Sequence, residues 1–512
     1  MPGRDRRAVR HPARPGALRT PPDQQPRVVV VGGGIAGLAA ATGLAERGVG
    51  VTVVEREDQL GGRVRSWPLN DHQRTMSRGF HAFFRQYYNL RGLLRRADPS
   101  LSCLLPVADY PMVHADGHED SFARIPRTPP LNLISLVAKS RSFSASDLRR
   151  VDVGAALELL DVSFPETFSA HDGQSATAFL DRLRFPDAAR HLALEVFARS
   201  FFANPEQFSA GELVAMFHSY FLGSAEGLLF DVPLDAYDNV LWAPLAQYLN
   251  GLGVEILTGA SARALSLLRG STVTMNSGLE IGADAIVLAT DPATTRTLMA
   301  ESDLGSSDLR WRHRIEATRN APPFAVGRLW LDRLVRAERA PFLGTSGFGP
   351  LDNVSVVERF EAGARCWLQQ HGGSVVEVHA YALPEPVNQP ELKQALRAEL
   401  GRVYPETADA RPVEEEWLVK NDCPLMDTGP WHLRPEVATP DRRVVLAGDG
   451  IRCDFPVALM ERAATTGFLA ANHLLAGWGL RGHDIWTVPM QGRHRIVPLI
   501  HRLAARTDRG LV

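Results

Sequence analysis

The apolar positions of residues 28–55 fall into two short runs separated by a glycine-rich turn and a helix. Val28–Val31 is a β-branched run with no polar residue inside it, as is typical of a parallel strand buried on both faces. Glycines then precede a predicted helix over 35–47, and a second apolar strand ends at Glu55. This order predicts a βαβ unit, the building block of a parallel sheet.

Further patterns extend this picture along the chain. Residues 254–290 alternate with a period of two and contain glycine turns, which predicts a β-meander followed by a buried strand over 285–289. The remaining predicted elements are the strands 325–332, 373–383 and 442–450, the helix 460–475, and a mainly helical stretch over 91–240. We therefore predict an α/β fold with a Rossmann-like domain and a mixed α+β second domain.

The glycine turn has the spacing of a dinucleotide-binding motif. Gly32, Gly34 and Gly37 form GxGxxG: the first allows the tight turn, the second lets the backbone approach a pyrophosphate, and the third lets the helix pack closely on the sheet. The pyrophosphate would lie at the helix N-terminus, where free N–H groups favour negative charge. Glu55 ends the second strand, where an acid can bind a ribose hydroxyl.

The amino-acid composition limits the classes of partner molecule that we expect this protein to bind. The chain has 512 residues, 45% of them hydrophobic, and a net charge of −2, which predicts no general attraction to nucleic acid. Four scattered cysteines lack the spacing of a metal site, so we expect no metal. Residues 1–26 are rich in Arg and Pro and lack the apolar core of a signal peptide, which predicts a disordered basic arm.

A second glycine pair follows the first motif in "LGGRV". Gly61, Gly62 and Arg63 extend the pattern so that it resembles the flavoprotein family of amine oxidases and carotenoid desaturases. This resemblance implies a Rossmann-like FAD-binding domain of the glutathione-reductase/amine-oxidase type, assembled from discontinuous segments. It also implies FAD rather than NAD as cofactor, with Gly62 and Arg63 at the cofactor phosphates.

The far end of the chain carries the other half of the resemblance. "AGDG" places Gly448 and Asp449 after a short strand, and "MERAATTG" matches the family's MExAxx[ST]G pattern with Met460 and Ala463. The resemblance implies that Asp449 binds the ribityl chain of the flavin. The helix N-terminus would then lie near the isoalloxazine, where its dipole favours negative charge.

The aromatic stretch "GFHAFFRQYYNL" (79–90) is similar to the GLHxFFGxYxN segment of plant-type phytoene and zeta-carotene desaturases. Together with "NDCPL" (421–425) and "IRCDFPVAL" (451–459), it resembles the bacterial ring-modifying subgroup, the carotene desaturase/methyltransferases of the isorenieratene-synthase type. The substrate implied is a carotenoid hydrocarbon, which requires an apolar, shape-selective site. The aromatic residues expected to line that site are Phe83, Phe84, Tyr87, Phe217 and Phe221.

The resemblance implies an oxidoreductase that desaturates and aromatises the β-ionone end rings of β-carotene. Hydride loss to the flavin creates an allylic cation, a geminal methyl group shifts to the neighbouring carbon, a proton is lost, and a second dehydrogenation completes the ring. His81 is the first candidate for accepting a proton or for orienting the flavin edge; the alternative is a structural histidine hydrogen-bonded to the backbone of its loop. Arg78 and Asp454 are further polar candidates near the flavin face, with a purely structural role as the alternative. The electron acceptor that reoxidises the flavin is left open.

Two alternatives remain. A related desaturase or oxidase acting on an acyclic carotene or an amine would show redox activity without methyl migration. A non-catalytic isoprenoid carrier, as in Rab GDP-dissociation inhibitors, would keep the fold without flavin chemistry, and the intact glycine, Glu55, Arg63 and Asp449 set argues against it.

A bilayer-dissolved substrate also predicts attachment to a membrane surface. The apolar segment "LNLISLV" (131–137) is the expected contact, and we expect a cytoplasmic protein held at the inner face of the plasma membrane. The predicted division of the chain is a basic arm (1–26), a FAD-binding domain (27–90, 241–300 and 436–478), a substrate domain (91–240 and 301–435) and a C-terminal tail (479–512).

Overall fold

The computed structural model describes residues 3–69, 74–123, 125–140, 142–143, 149–186, 189, 201–268, 270–303 and 309–492. Over these residues the strands are β1 Val9–His11, β2 Arg27–Val31, β3 Gly50–Val54, β4 Ser66–Pro68, β5 Thr75–Ser77, β6 Phe83–Phe84, β7 Leu104–Pro106, β8 Met112–His114, β9 Glu119–Asp120, β10 Phe230–Pro233, β11 Glu255–Leu257, β12 Ala262–Ser266, β13 Ser271–Met275, β14 Glu280–Ala283, β15 Ala285–Leu288, β16 Phe324–Leu331, β17 Phe342–Ser346, β18 Asn353–Val356, β19 Val375–Ala380, β20 Pro412–Lys420, β21 Val444–Leu446 and β22 Ile485–Thr487.

The α-helices of the same residues are α1 Ile35–Ala45, α2 Tyr88–Leu94, α3 Leu131–Lys139, α4 Val153–Glu158, α5 Glu166–Ala170, α6 Ala176–Arg182, α7 Ala210–Phe217, α8 Ala243–Gly251, α9 Pro292–Glu301, α10 Leu309–Glu316, α11 Ala362–His371, α12 Gln389–Val403 and α13 Leu459–Gly477. None of these helices is both long and apolar enough to cross a membrane.

A five-stranded parallel sheet forms the Rossmann-like domain, in the order β11-β3-β2-β15-β21. Its strands come from three separated parts of the chain, as the motifs predicted. Along the chain, the antiparallel meander β12-β13-β14 follows β11 and precedes β15. This order confirms the interpretation of residues 254–290. Every residue of β15 is buried, as expected for a strand in the middle of such a sheet.

Helices α1 and α13 pack closely together because glycines lie at their contact. A Cβ at Gly467 would lie 2.3 Å from the carbonyl oxygen of Ala36, and one at Gly43 would lie 2.8 Å from the Cβ of Ala471. All residues of α1 are buried, so this helix is apolar on every side, as a helix in the centre of a domain must be. The packing brings the N-terminus of α13 beside the glycine turn that precedes α1.

The second domain contains a seven-stranded sheet, in the order β20-β16-β19-β18-β17-β8-β9. Strands β16 and β19 pair antiparallel, with Ala325 opposite Ala380, which confirms the predicted sheet formed by 325–332 and 373–383. Strands β8 and β9 extend it from within 91–240. That stretch is therefore less helical than its sequence suggested, because it also contributes β7 and β10.

The predicted disordered arm is wrong for the residues that the structure describes. Strand β1 pairs antiparallel with β22, so the arm and the beginning of the tail form one small sheet. The backbone N–H groups of Arg4 and Asp5 donate to Glu226, at 2.9 and 3.0 Å, and Ala225 donates to Asp5 at 2.7 Å. Long-range pairing supplied the hydrogen bonds that composition alone did not reveal. Residues 493–512 of the predicted tail lie outside the described residues.

Candidate active site

The first glycine turn is shaped by contacts that only glycine permits. Gly32 has φ +110°, and a Cβ there would lie 2.5 Å from the carbonyl oxygen of Ala289. A Cβ at Gly37 would lie 1.9 Å from the carbonyl oxygen of Gly32, so α1 touches the turn directly. At Gly34, by contrast, the nearest atom to an added Cβ is the Cα of Gly62, at 3.7 Å. An added methyl at Gly34 would therefore make ordinary van der Waals contact with Gly62, and the two glycines line the edge of an open cavity, here called the cradle.

Glu55 closes this cradle at the end of β3. Its Oε2 accepts a hydrogen bond from Gly33 N at 2.6 Å, and its Oε1 accepts one from Glu57 N at 3.0 Å. Glu55 is buried and lines the cavity beside the turn. Its position is the one predicted for an acid that binds a ribose hydroxyl.

The second glycine pair lies directly against the first turn. Gly61 N donates to the carbonyl oxygen of Gly33 at 2.9 Å, and a Cβ at Gly61 would overlap Trp242 and the carbonyl oxygen of Val64. Gly62, with φ +58°, contacts Gly34, because a Cβ at Gly62 would lie 3.1 Å from the Cα of Gly34. The two backbones without side chains thus form one wall of a slot at the edge of the cavity, where backbone N–H groups can approach a phosphate closely.

Segments from both ends of the chain meet at this slot. The Arg63 guanidinium donates to the carboxylate of Asp449, and both residues line the cavity. Gly448 has φ +153° and its N–H donates to Thr466 Oγ1 at 2.9 Å. Met460 and Ala463 of α13 line the same cavity. The N-terminal and C-terminal motifs therefore meet at one site, as the resemblance implied.

One cavity of about 580 Å³ continues from the slot into the second domain. Its far part is walled by aromatic rings that contact one another: Phe80 stacks on Phe342 at 4.3 Å, and Tyr110 stacks on Phe122 at 4.7 Å between ring centroids. The aromatic residues on its wall are Phe80, Phe84, Tyr87, Tyr110, Phe122, Phe201, Phe202, Tyr220, Phe230, Phe324, Phe342 and Tyr381.

The structure corrects four predicted site residues. Phe83 is fully buried in the core and does not line the cavity, whereas its neighbour Phe84 does, because successive residues of a strand point to opposite faces. Phe217 and Phe221 stack on each other at 5.2 Å outside the cavity wall. Asp454 is exposed and also lies outside the wall. Tyr87 does line the cavity, and its hydroxyl lies 2.6 Å from that of Tyr220.

His81 lies on the cavity wall with a defined tautomer. Its Nδ1 is 2.7 Å from the carbonyl oxygen of Gly79, which also accepts from the hydroxyl of Tyr237. A carbonyl only accepts, so Nδ1 carries the proton and Nε2 presents a lone pair. Burial lowers the pKa of His81 to about 4, so the ring is neutral near pH 7.

Arg78 lines the same wall. Its guanidinium forms an ion pair with Asp422 at 2.6 Å and lies over the ring of Phe324 at 5.4 Å. Burial alone would raise the pKa of Asp422, but the charge of Arg78 lowers it below its usual value. This pair ties the loop that carries His81 to the segment 421–425.

Sequence reasoning missed several residues of the wall. Phe80, Phe342, His379 and Tyr381 line the cavity; Phe80 lies within the aromatic stretch 79–90 but was not selected, and the other three belong to no recognisable motif. His379 and Tyr381 lie at and just after the end of β19, and two-residue alternation places them on one face of the chain. That signal alone could have paired them, but it does not reveal which face meets the cavity.

The described residues fit FAD. The slot wall formed by Gly34 and Gly62, the uncapped N-terminus of α1 and Arg63 provide for a pyrophosphate, Glu55 for a ribose hydroxyl and Asp449 for the ribityl chain. A dinucleotide slot that opens into a cavity walled by aromatic rings defines a flavoprotein oxidoreductase. The chain belongs to the family of flavin containing amine oxidoreductases, whose family model matches residues 35–475.

Individual relatives refine this assignment. The chain is 53% identical over 511 residues to the carotenoid phi-ring synthase of Streptomyces griseus, covering 99% of this chain and 98% of the relative. It is 25% identical to the carotenoid phi-ring synthase of Chlorobaculum tepidum, covering 91% of each. Among solved structures, putrescine oxidase superposes with a TM-score of 0.64 at 16% identity, covering 88% of this chain and 99% of that one, which shows the shared fold.

Proposed function

We propose that this protein aromatises the β-ionone end rings of β-carotene, with migration of a methyl group within each ring, to an isorenieratene-type product. The observation that carries the proposal is the continuity between the FAD slot and the aromatic cavity. The names of the two phi-ring synthases to which the chain is similar support a carotenoid as substrate.

The cavity wall suits a hydrocarbon that offers nothing to hydrogen-bond. Its aromatic rings provide apolar contact and shape selection. The hydroxyls of Tyr87 and Tyr220 pair with each other at 2.6 Å, and the Tyr110 hydroxyl donates to the carbonyl oxygen of Leu228 at 2.8 Å. Paired hydroxyls present less unsatisfied polarity to an oily ligand than free ones.

FAD supplies the two-electron acceptor for hydride. The protein's part is to stabilise the ring cation that hydride loss leaves behind, to keep water away and to remove protons. Aromatic faces such as those of Phe84 and Phe230 contribute about 0.5–2 kcal/mol each to a nearby cation. Excluding water prevents capture of the cation as an alcohol.

His81 is the proposed acceptor of a proton from the ring. Its Nε2 carries the lone pair, because Nδ1 is committed to Gly79. The low pKa of His81 does not oppose this role, because a carbocation is a far stronger acid than an imidazolium. Arg78 has a positioning role through its ion pair with Asp422.

We further propose that the protein associates peripherally with the inner face of the plasma membrane, through α3. This helix exposes Leu131 and Ile134, which are 55% and 59% accessible, while its buried face holds Asn132 and Leu136. Asn132 anchors the helix by donating to the carbonyl oxygen of Phe221 at 2.6 Å. An apolar outer face on an anchored helix suits the boundary between headgroups and acyl chains.

Expression of the full chain in a host that accumulates β-carotene tests the proposed reaction. Each modified ring should lose four hydrogens and no carbon, which mass spectrometry of the extracted pigments measures. Unaltered β-carotene, together with consumption of phytoene in a parallel strain, would instead indicate an acyclic desaturase. A purified chain that lacks a flavin absorbance spectrum would indicate a carrier.

A further inference from the structure

A chain of hydrogen-bonding groups reaches the cavity wall at Tyr381. Asn353 Nδ2 donates to the Tyr381 hydroxyl oxygen at 2.9 Å, and that oxygen lies 2.6 Å from His379 Nδ1. His379 Nε2 lies 2.8 Å from Glu377 Oε1. Asn353, His379 and Tyr381 line the cavity, whereas Glu377 is fully buried behind them.

The direction of these hydrogen bonds follows from the charge on Glu377. Burial alone would raise the pKa of Glu377, but Arg328 and His379 lower it to about 2. An ionised carboxylate only accepts hydrogen bonds, so His379 Nε2 carries the proton that it donates to Glu377. His379 Nδ1 therefore accepts the proton of the Tyr381 hydroxyl.

The buried cluster behind His379 contains two carboxylates and one guanidinium group. Arg328 pairs with two carboxylates, Glu377 at 2.8 Å and Glu361 at 3.0 Å. Burial raises the pKa of Glu361, and the charge of Glu377 adds to this effect, as expected where one guanidinium serves two acids. A proton that reaches His379 would lie beside the carboxylate of Glu377, which is 2.8 Å from His379 Nε2.

This chain of groups adjoins the loop that carries His81. Gly79 has φ +102°, and a Cβ there would lie 2.7 Å from His379 Cε1. The N–H of Phe80 also points at His379 Nε2, at 3.3 Å, but the ionised carboxylate of Glu377 is closer, at 2.8 Å, and keeps the proton on Nε2. Two groups able to accept a proton, His81 and Tyr381, thus lie on the wall of one cavity. Ring aromatisation gives both groups a proton to accept, because each ring gives up two hydrides and two protons from different carbons.

We propose that Tyr381, His379 and Glu377 form a proton relay that removes one of the two protons, while His81 removes the other. This inference rests on the proposed function. Tyr381 Oη takes a proton from a ring carbon of the cationic substrate as its own proton passes to His379 Nδ1. The electrons of the broken C–H bond become a ring π bond, and the positive charge ends on His379 beside Glu377. The extra proton leaves to water after the product departs.

Matched variants of the full chain, expressed in the β-carotene host, test the relay. Tyr381→Phe removes the hydroxyl and keeps the ring. His379→Asn keeps an acceptor for the Tyr381 hydroxyl but not a basic nitrogen. His81→Asn keeps a donor to Gly79 without a base. Tyr404→Phe is the control, because it removes a buried hydroxyl that donates to Ala340 at 2.9 Å away from the cavity.

The relay predicts that Tyr381→Phe and His379→Asn form aromatic rings at least about 100-fold more slowly than Tyr404→Phe, as expected for loss of a general base. FAD content and melting temperature, measured on the purified proteins, should match the control. Tyr381→Phe and His81→Asn should stop at different stages, one with unaltered rings and the other with rings lacking two hydrogens.

The possible outcomes separate the two proposals. An inactive wild-type chain refutes the proposed function and the relay with it. An active wild type with Tyr381→Phe as fast as the control refutes the relay alone, and so does an identical stalled pigment from Tyr381→Phe and His81→Asn. If Tyr381→Phe does not retain FAD, the test rests on His379→Asn. A His379→Asn variant that forms aromatic rings as fast as Tyr404→Phe overturns the relay.

Discussion

Replacing Gly34 by alanine should weaken FAD binding while leaving the apoprotein stable. The added methyl group meets no protein atom closer than 3.7 Å, and the backbone at Gly34, with φ −78°, suits alanine. Alanine is a poorer N-cap than glycine by about 0.5–1 kcal/mol. Restriction of the unfolded chain offsets this by about 0.4–1 kcal/mol, so the net change in the free energy of unfolding is close to zero.

The methyl group does, however, add bulk to the slot wall that Gly34 and Gly62 form, where the pyrophosphate would bind. Forcing a methyl group into packed space costs about 1–3 kcal/mol, and each 1.4 kcal/mol is a factor of ten in affinity. We therefore expect the FAD dissociation constant to rise roughly 5- to 150-fold. Titration of the apoprotein with FAD, followed by quenching of flavin fluorescence, measures this directly.

Gly37→Ala is the contrasting variant, because its methyl group would lie 1.9 Å from the carbonyl oxygen of Gly32. We expect this variant to lose stability of the apoprotein itself, seen as a melting temperature several degrees lower. An unchanged FAD affinity in Gly34→Ala, or a melting temperature of its apoprotein as low as that of Gly37→Ala, would refute the assignment of the slot.

Three further predictions concern stability and the membrane. Glu212→Gln should lower the free energy of unfolding by about 3–5 kcal/mol, measured by heat or urea. The reason is that Glu212 is 1% exposed and its carboxylate pairs with the guanidinium groups of Arg434 and Arg462, each at 2.6 Å. A loss below about 1 kcal/mol would contradict this. Leu131→Glu with Ile134→Glu should reduce co-flotation with anionic vesicles, whereas Leu309→Glu, at a leucine 70% exposed, should not; equal flotation of both would argue against α3. Burial lowers the pKa of His483 to about 4 in the folded protein, from 6.5 for an exposed histidine. As the pH drops from 6.5 towards 4, the unfolded chain therefore binds a proton that the folded protein does not. The free energy of unfolding should fall over this range by at most about 1.4 kcal/mol per pH unit. His483→Gln, which keeps a donor to Gly43, should flatten that slope in melting curves, and an unchanged slope would refute it.

The cofactor half of the site was predictable because its signals are local. A β-branched strand, a glycine turn and a helix need only neighbouring residues to be recognised, and Gly32 and Gly37 have steric reasons in the turn that they form. The C-terminal pattern around Asp449 is equally short. Its meeting with Arg63 could be expected because both patterns belong to one resemblance.

The substrate half was only partly predictable. The sequence showed that aromatic residues are concentrated near His81, but Phe83 and Phe84 are neighbours with opposite directions, and only Phe84 reaches the cavity. Their assignment depends on how β6 pairs with β10, which is 146 residues away for Phe84 and Phe230. A long-range register of this kind leaves no mark in the local pattern.

The sequence by itself determined that this protein contains a Rossmann-like dinucleotide site and where each part of that site lies along the chain. Only the tertiary structure decided which side chains share the cavity, how the N-terminal arm pairs with β22, and that Tyr381 reaches Glu377 through His379. The physical reason is the distance along the chain over which each kind of interaction acts. Turn geometry and periodicity act over a few residues, whereas cavity walls and buried charge networks arise where strands distant in sequence pack side by side.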